Sequence, residues 1–167
     1  MTKISIVTPT FNEELNIAML CAEIKKEMGK LNLDYEHIII DNSSTDNTIK
    51  ILKEICLEDK KVKVIINSKN YGHIKSPFHG ILQSTGDACL LMASDFQDPV
   101  KLIPQYIKKW QDGSKIVLGK KISSKESSLM FNMRKTFYSF LNKISETKLT
   151  NNTTGSGIFD KSIIEKL

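Results

Sequence analysis

The sequence predicts an α/β domain with a mostly parallel central sheet and helices on both faces. Three observations carry that prediction. Short apolar runs rich in β-branched residues alternate with segments whose apolar residues recur at helical spacing. The runs are apolar enough to be buried on both sides, Ile38-Ile39-Ile40 being the clearest. Polar loops follow the first, second and fourth runs, and in a parallel sheet such loops share the carboxyl edge, where ligands bind.

Lys3 to Val7 is the first strand, and Thr8-Pro9-Thr10-Phe11-Asn12 breaks it. Ile17, Leu20, Cys21, Ile24, Met28 and Leu31 then mark a helix starting near Glu13, with Asn12 as its expected N-cap. Tyr35 to Ile40 is the second strand, closed by the turn cluster Asp41–Asp46. Ile49, Leu52, Ile55 and Cys56 trace the second helix, and Val62 to Ile66 the third strand. A polar loop from Asn67 to Gly72 leads to a helix expected over Ser76–Ser84 and capped by Gly86.

Ala88 to Met92 is the fourth strand. Asp98 with Pro99 is expected to start the next helix, whose apolar stripe is Leu102, Ile103, Tyr106, Ile107 and Trp110. Ile116 to Leu118 is a short fifth strand, followed by a helix carrying Phe131, Phe137, Phe140, Leu141 and Ile144. Thr150 to Gly157 reads as a polar tail before a last helix near Lys161.

The 167 residues suit one domain, spanning 1–167, with 40% hydrophobic and 26% charged residues. No apolar run reaches the roughly 20 residues of a membrane span, so a cytoplasmic domain is expected. The net charge of +5 comes from lysine, since Arg134 is the only arginine. That balance reads first as a solvated lysine-rich surface; it also suits phosphate groups or an anionic membrane surface, and it is too mild to imply nucleic acid. Cys21, Cys56 and Cys89 form no Cys-x-x-Cys pair and read as packing residues. His73 and His79 are expected to flank the third helix without forming a zinc pair.

The stretch Leu90–Pro99 is an apolar run ending in Asp95, Gln97 and Asp98. It reads either as a cation and phosphate site or as a plain helix start. The first loop has neither Gly-x-Gly-x-x-Gly nor Gly-x-x-x-x-Gly-Lys-Ser/Thr, which argues against a dinucleotide-binding domain and a P-loop NTPase. What remains is a nucleotide site of carboxylates, an aromatic and a metal. Phe11 can stack on a base, Asp41 can accept from a base N–H, and Glu13 can accept from a ribose hydroxyl. Asp95 with Gln97 can hold Mg²⁺ or Mn²⁺ against a diphosphate.

Val7–Glu14, Ile40–Asp46, Gly86-Asp87 and Asp95–Pro99 together resemble the ordered motifs of family 2 glycosyltransferases with the GT-A fold. Within them the chain is similar to the dolichyl-phosphate mannose synthase-like enzymes, which move a sugar from a nucleotide donor to a polyprenyl phosphate. The resemblance implies that Pro9, Phe11, Glu13 and Asp41 surround the nucleoside and that Asp95, the catalytic residue, binds metal and diphosphate with Gln97. It places Lys121 and Arg134 near the acceptor phosphate, and the protein at the inner face of the membrane.

Three departures stand out. Ala93 occupies the first position of the family's Asp-x-Asp. Gly155-Ser156-Gly157-Ile158-Phe159-Asp160 replaces a motif that commonly contains Asp-Phe-Arg. The chain is expected to be shortened at its carboxyl end relative to the family. The first two motivate a rival reading, a catalytically silent GT-A domain that binds a nucleotide or a partner. A sugar-phosphate nucleotidyltransferase is disfavoured because its Gly-rich, basic first loop is missing.

Overall fold

The computed structural model describes residues 2–120 and 153–167. The elements run β1 (Lys3–Thr10), α1 (Ile17–Gly29), β2 (Asp34–Asp41), α2 (Thr48–Glu58), β3 (Val62–Ile66), α3 (Gly72–Leu82) and β4 (Ala88–Leu91). A 3₁₀ turn (Val100–Leu102), α4 (Ile103–Gln111), β5 (Ile116–Lys120), β6 (Thr153–Asp160) and α5 (Lys161–Ile164) complete them. Six strands form one sheet in the order β3-β2-β1-β4-β6-β5. β1, β2, β3 and β4 pair in parallel, and β6 runs antiparallel to both of its neighbours.

Alternation along the strands sends side chains to two cores. Ile4, Ile6, Ile39 and Leu90 face the larger one, with Ile17, Leu20 and Ile24 of α1, Leu52 of α2 and Ile103 and Ile107 of α4. Val7, Ile38 and Cys89 face the smaller one, closed by Ile81 of α3 and flanked by Ile164 of α5. Helices therefore cover both faces, as expected. Gly80 permits the close approach of α3, since a Cβ there would stand 2.7 Å from a Val7 methyl.

Two buried polar groups tie the strands laterally. Glu36 accepts hydrogen bonds from Ser5 Oγ (2.6 Å) and the Thr85 backbone N–H (2.9 Å), and pairs with Lys63 (2.6 Å). Burial opposes its charge, but the Lys63, Ser5 and Thr85 hydrogen bonds outweigh it and hold the carboxyl well below its usual range. His37, 1% exposed, sits 2.9 Å from the Thr8 hydroxyl, and burial pushes its pKa down to about 4.

Several elements depart from their sequence expectations. β1 continues past Val7 through Pro9, because Thr10 still pairs with Asp41 and accepts from the Asn42 N–H (2.8 Å). α1 begins at Ile17 and not at Glu13. Asn12 lies at φ +55° and cannot be its N-cap; its side chain accepts from the Thr45 N–H instead (2.8 Å). α3 begins four residues before Ser76, so that His73 and His79 lie inside it and do not flank it. Gly86 does not cap α3. It packs against β1, where a Cβ would meet the Ser5 backbone nitrogen at 2.7 Å.

Asp98 does not cap a helix either: Pro99, in extended conformation, precedes the 3₁₀ turn, and no side chain caps it. The polar tail is the largest departure, because Thr153–Asp160 is a strand inserted between β4 and β5. Asp160 ends it, accepting from the Ser162 N–H to start α5 and from the Trp110 indole (2.8 Å). The expected helix from Phe131 to Ile144 lies outside the described residues.

Candidate functional site

The loops after β1, β2 and β4 meet at the carboxyl edge of the sheet around a cleft of about 420 Å³. β1 and its loop supply Pro9, Thr10, Phe11 and Glu13; the loop after β2 supplies Asn42; the loop after β4 supplies Ala93, Ser94 and Asp95. The remaining wall is Asn70 with the first turns of α3, namely Gly72, His73, Ser76 and Pro77.

Hydrogen bonds between the loops fix their relative positions. The Asn12 N–H donates to Ser44 Oγ (2.9 Å), the Glu13 N–H to Thr48 Oγ1 (2.8 Å) and the Glu14 N–H to Asp46 (3.2 Å). Asp46 also accepts from the Thr48 N–H (2.9 Å). Burial disfavours its charge, yet these hydrogen bonds prevail and keep its carboxyl below the usual range. Asn42 Oδ1 takes the Tyr71 N–H (2.9 Å) and Asn67 Nδ2 (3.1 Å), while Asn42 Nδ2 donates to Asn70 (2.8 Å). Ser94 Oγ donates to the Pro9 carbonyl (3.1 Å), joining the loop after β4 to β1.

Each of the three loops holds one non-glycine residue at positive φ: Asn12 at +55°, Ser43 at +68° and Phe96 at +55°. Among the described residues no others do. Strained backbone of this kind persists where surrounding contacts over-determine it, and it gathers at binding sites.

Of the residues singled out from the sequence, Pro9, Phe11, Glu13 and Asp95 line the cleft together. Phe11 is 44% exposed, its ring open to a stacking partner. Glu13 accepts from Asn16 Nδ2 (2.7 Å), which orients its carboxylate. Asp95 is exposed, and its Oδ1 accepts from the Gln97 N–H (3.1 Å). Gln97 is exposed just beyond the wall.

Asp41 is fully buried behind the wall, with its oxygens taken by the Ser44 N–H (2.9 Å) and hydroxyl (2.5 Å). Direct contact between Asp41 and a ligand would require Ser44 to move. Lys121 and Arg134 lie outside the described residues.

Sequence reading missed Asn42, Asn70, His73 and Ser94 as wall residues. The available signal was the run Asn67–Gly72, in which two asparagines precede a glycine that adopts φ +83°.

The wall carries the carboxylates Glu13 and Asp95 and, among the described residues, no lysine or arginine. No group of three His, Cys, Asp or Glu side chains suited to a metal occurs among those residues. The cleft therefore offers one exposed carboxylate, next to Ser94 in the wall and two residues before the exposed Gln97. A hard cation that keeps part of its water and takes further oxygens from a bound phosphate fits such a set; a cation caged by protein alone does not.

Among solved structures, the chain is similar to glucosyl-3-phosphoglycerate synthase from Mycobacterium tuberculosis in complex with Mn²⁺, UDP and glucosyl-3-phosphoglycerate. The TM-score is 0.67 at 19% identity, over 97% of this chain and 58% of that one. Staphylococcus aureus TarS 1-349 in complex with UDP-GlcNAc gives a TM-score of 0.62 at 19% identity, over 98% and 47%. These likenesses establish the GT-A fold.

In sequence the chain is 31% identical over 166 residues to the prophage bactoprenol glucosyl transferase homolog of Escherichia coli K12, covering 99% of this chain and 54% of that protein. The chain thus spans about half the length of the curated relatives it matches. Residues 5–167 match the family described as Glycosyl transferase family 2. With that match across nearly the whole sequence, on a GT-A sheet whose loops close around one cleft, the chain belongs to glycosyl transferase family 2.

Proposed function

We propose that residues 1–167 form one catalytic domain that moves a sugar from a UDP- or GDP-sugar to an acceptor, with inversion at the anomeric carbon. The observation that carries this reading is the cleft itself. An aromatic and a carboxylate at the end of β1 share one hollow with a second carboxylate after β4, beside the start of α3.

Phe11 stacks on the base and Glu13 accepts from the ribose, while Asp41 holds the loop after β2 in place. The N-terminal turns of α3 present backbone N–H groups beside the diphosphate. Two carboxylates with no lysine or arginine among the described wall residues would repel a bare diphosphate, so a cation is needed to bring them together. Asp95 and Gln97 would hold that Mg²⁺ or Mn²⁺, whose charge favours departure of the diphosphate. Catalysis then rests on positioning and on charge stabilisation.

The acceptor in this reading is a polyprenyl phosphate at the inner face of the membrane, supported by the bactoprenol transferases among the relatives. Such a phosphate is already ionised and needs no general base. Lys121 and Arg134 are the basic residues assigned to it.

Calorimetry with UDP and with GDP, each with and without Mn²⁺, tests the donor site. Metal-dependent binding is expected, and equal binding without metal would remove the role of Asp95. Ala93 in the cleft wall favours a second reading, a domain that binds donor without turnover. Donor hydrolysis by the parent, lost in Asp95→Ala, separates the two.

A further inference from the structure

We propose that the outer face of α3 docks on an anionic lipid bilayer. Ile74, Phe78 and Leu82 are 71%, 41% and 47% exposed, and their spacing stacks them into one ridge along the helix. The opposite face of α3 is spent on the fold, with Ser76, Gly80 and Ile81 buried. Tyr71, 43% exposed, extends the ridge at one end. Single exposed apolar residues are ordinary on a protein surface, but three in register on one helix mark an interaction face.

Charge identifies the partner. From Lys60 through Gly86 the chain carries five lysines and no acidic residue. Lys61 and Lys63 are committed to Asp34 and Glu36. Lys69 and Lys75 make no ion pair among the described residues; Lys69 lies 5.3 Å above the Tyr71 ring, and Lys75 borders a hollow of about 510 Å³ with Tyr71 and His79. An apolar ridge edged by lysines and a tyrosine has the composition of a helix lying in a membrane interface.

A second copy would bring the same lysines against each other across a two-fold contact, whereas anionic headgroups complement them. α3 has 11 residues, too few to cross a bilayer, so it lies along the surface. Gly72 and His73 at its start line the cleft, which places the cleft mouth beside the bilayer. Ile74, Phe78, Leu82 and Lys69 form no part of the cleft wall, so the surface is independent of the reaction proposed above.

Co-sedimentation with vesicles of phosphatidylglycerol mixed with phosphatidylcholine tests the proposal, with pure phosphatidylcholine vesicles as the comparison. Saturable binding to the anionic vesicles, weakened by salt, is expected. Each lysine at such a surface contributes about fivefold, so Lys69→Gln with Lys75→Gln should weaken partitioning about 25-fold. Phe78→Ser with Leu82→Ser should weaken it at least about tenfold.

The lysine variants change only exposed side chains, and all four substitutions should leave calorimetric nucleotide binding at the parent value. Failure of nucleotide binding in the parent would instead count against the reaction. Absent vesicle binding, equal binding to neutral vesicles, or undiminished binding by both pairs of variants would overturn the surface. So would a dimer in solution that Phe78→Ser disperses.

Discussion

Asp95 is the one exposed carboxylate of the cleft wall, so under the proposed reaction metal and donor binding should be coupled through it. Titrated alone, Mn²⁺ is expected to bind the parent only weakly; with UDP or GDP present, Asp95→Ala should bind at least about tenfold less tightly than the parent. In EDTA the two proteins should be indistinguishable by calorimetry. Phe11→Ala addresses the other end of the cleft and should cost about 1–3 kcal/mol of nucleoside affinity, the usual worth of a base stacked on an aromatic ring. Phe11, Glu13 and Asp95 were legible because each follows an apolar run directly, and a parallel sheet sends all such loops to one edge. Asn42 and Ser44 were not, since nothing in a turn cluster tells which side chain faces outward. His37 makes a separate prediction about stability. Its pKa falls from an unfolded value near 6.5 to about 4 in the folded protein, so the unfolded chain binds more protons between those values. Stability should therefore drop by about 2 kcal/mol between pH 7 and pH 5, as read by urea unfolding. His37→Leu should be less stable at pH 7, with the Thr8 hydroxyl left unpaired, but should lose that slope.

At the scale of elements, β6 shows where pattern reading stops. Thr153-Thr154-Gly155-Ser156-Gly157 has the composition of a loop, yet it forms the first part of β6, which pairs with β5 from Thr153 and with β4 from Gly157. Close packing requires only one of its two glycines. A Cβ on Gly157 would stand 2.8 Å from Leu118 Cδ2 and 2.9 Å from the Val117 carbonyl oxygen, whereas nothing lies within 4 Å of one on Gly155. Gly157→Ala should thus destabilise by about 1–3 kcal/mol, because backbone cannot step aside as a side chain can. Gly155→Ala should stay within about 0.5 kcal/mol of the parent. Denaturant midpoints of the two variants check the contrast, and equal losses would mean that β6 is not seated between β4 and β5. The apolar strands β1, β2 and β4 were legible for the opposite reason, since both of their faces are buried and hydrophobicity alone marks them.

The order of the strands decides where the molecule can bind. From β1 the chain steps outward to β2 and β3, then returns to place β4 on the other side of β1. The loops after β1 and β4 lead to α1 and α4 on one face and the loop after β3 leads to α3 on the other, so a crevice opens among them at this switch point. Pro9, Thr10 and Phe11 line one side of that crevice and Ala93, Ser94 and Asp95 the other, held together by the Ser94 bond to the Pro9 carbonyl. Strand order is invisible in the sequence, because the helical connections from β1 to β2 and from β3 to β4 look alike whichever way the chain turns. A ligand long enough to reach both ends of the crevice must touch all three loops at once. Hydrogen exchange with a nucleoside diphosphate and Mn²⁺ should accordingly slow amides in residues 11–14, 42–48 and 93–97 together, leaving the β3 edge and the end of α4 unchanged. The nucleoside alone should protect only the first two segments. Protection confined to one loop, or spread evenly over the sheet, would show that the crevice is not read as a unit.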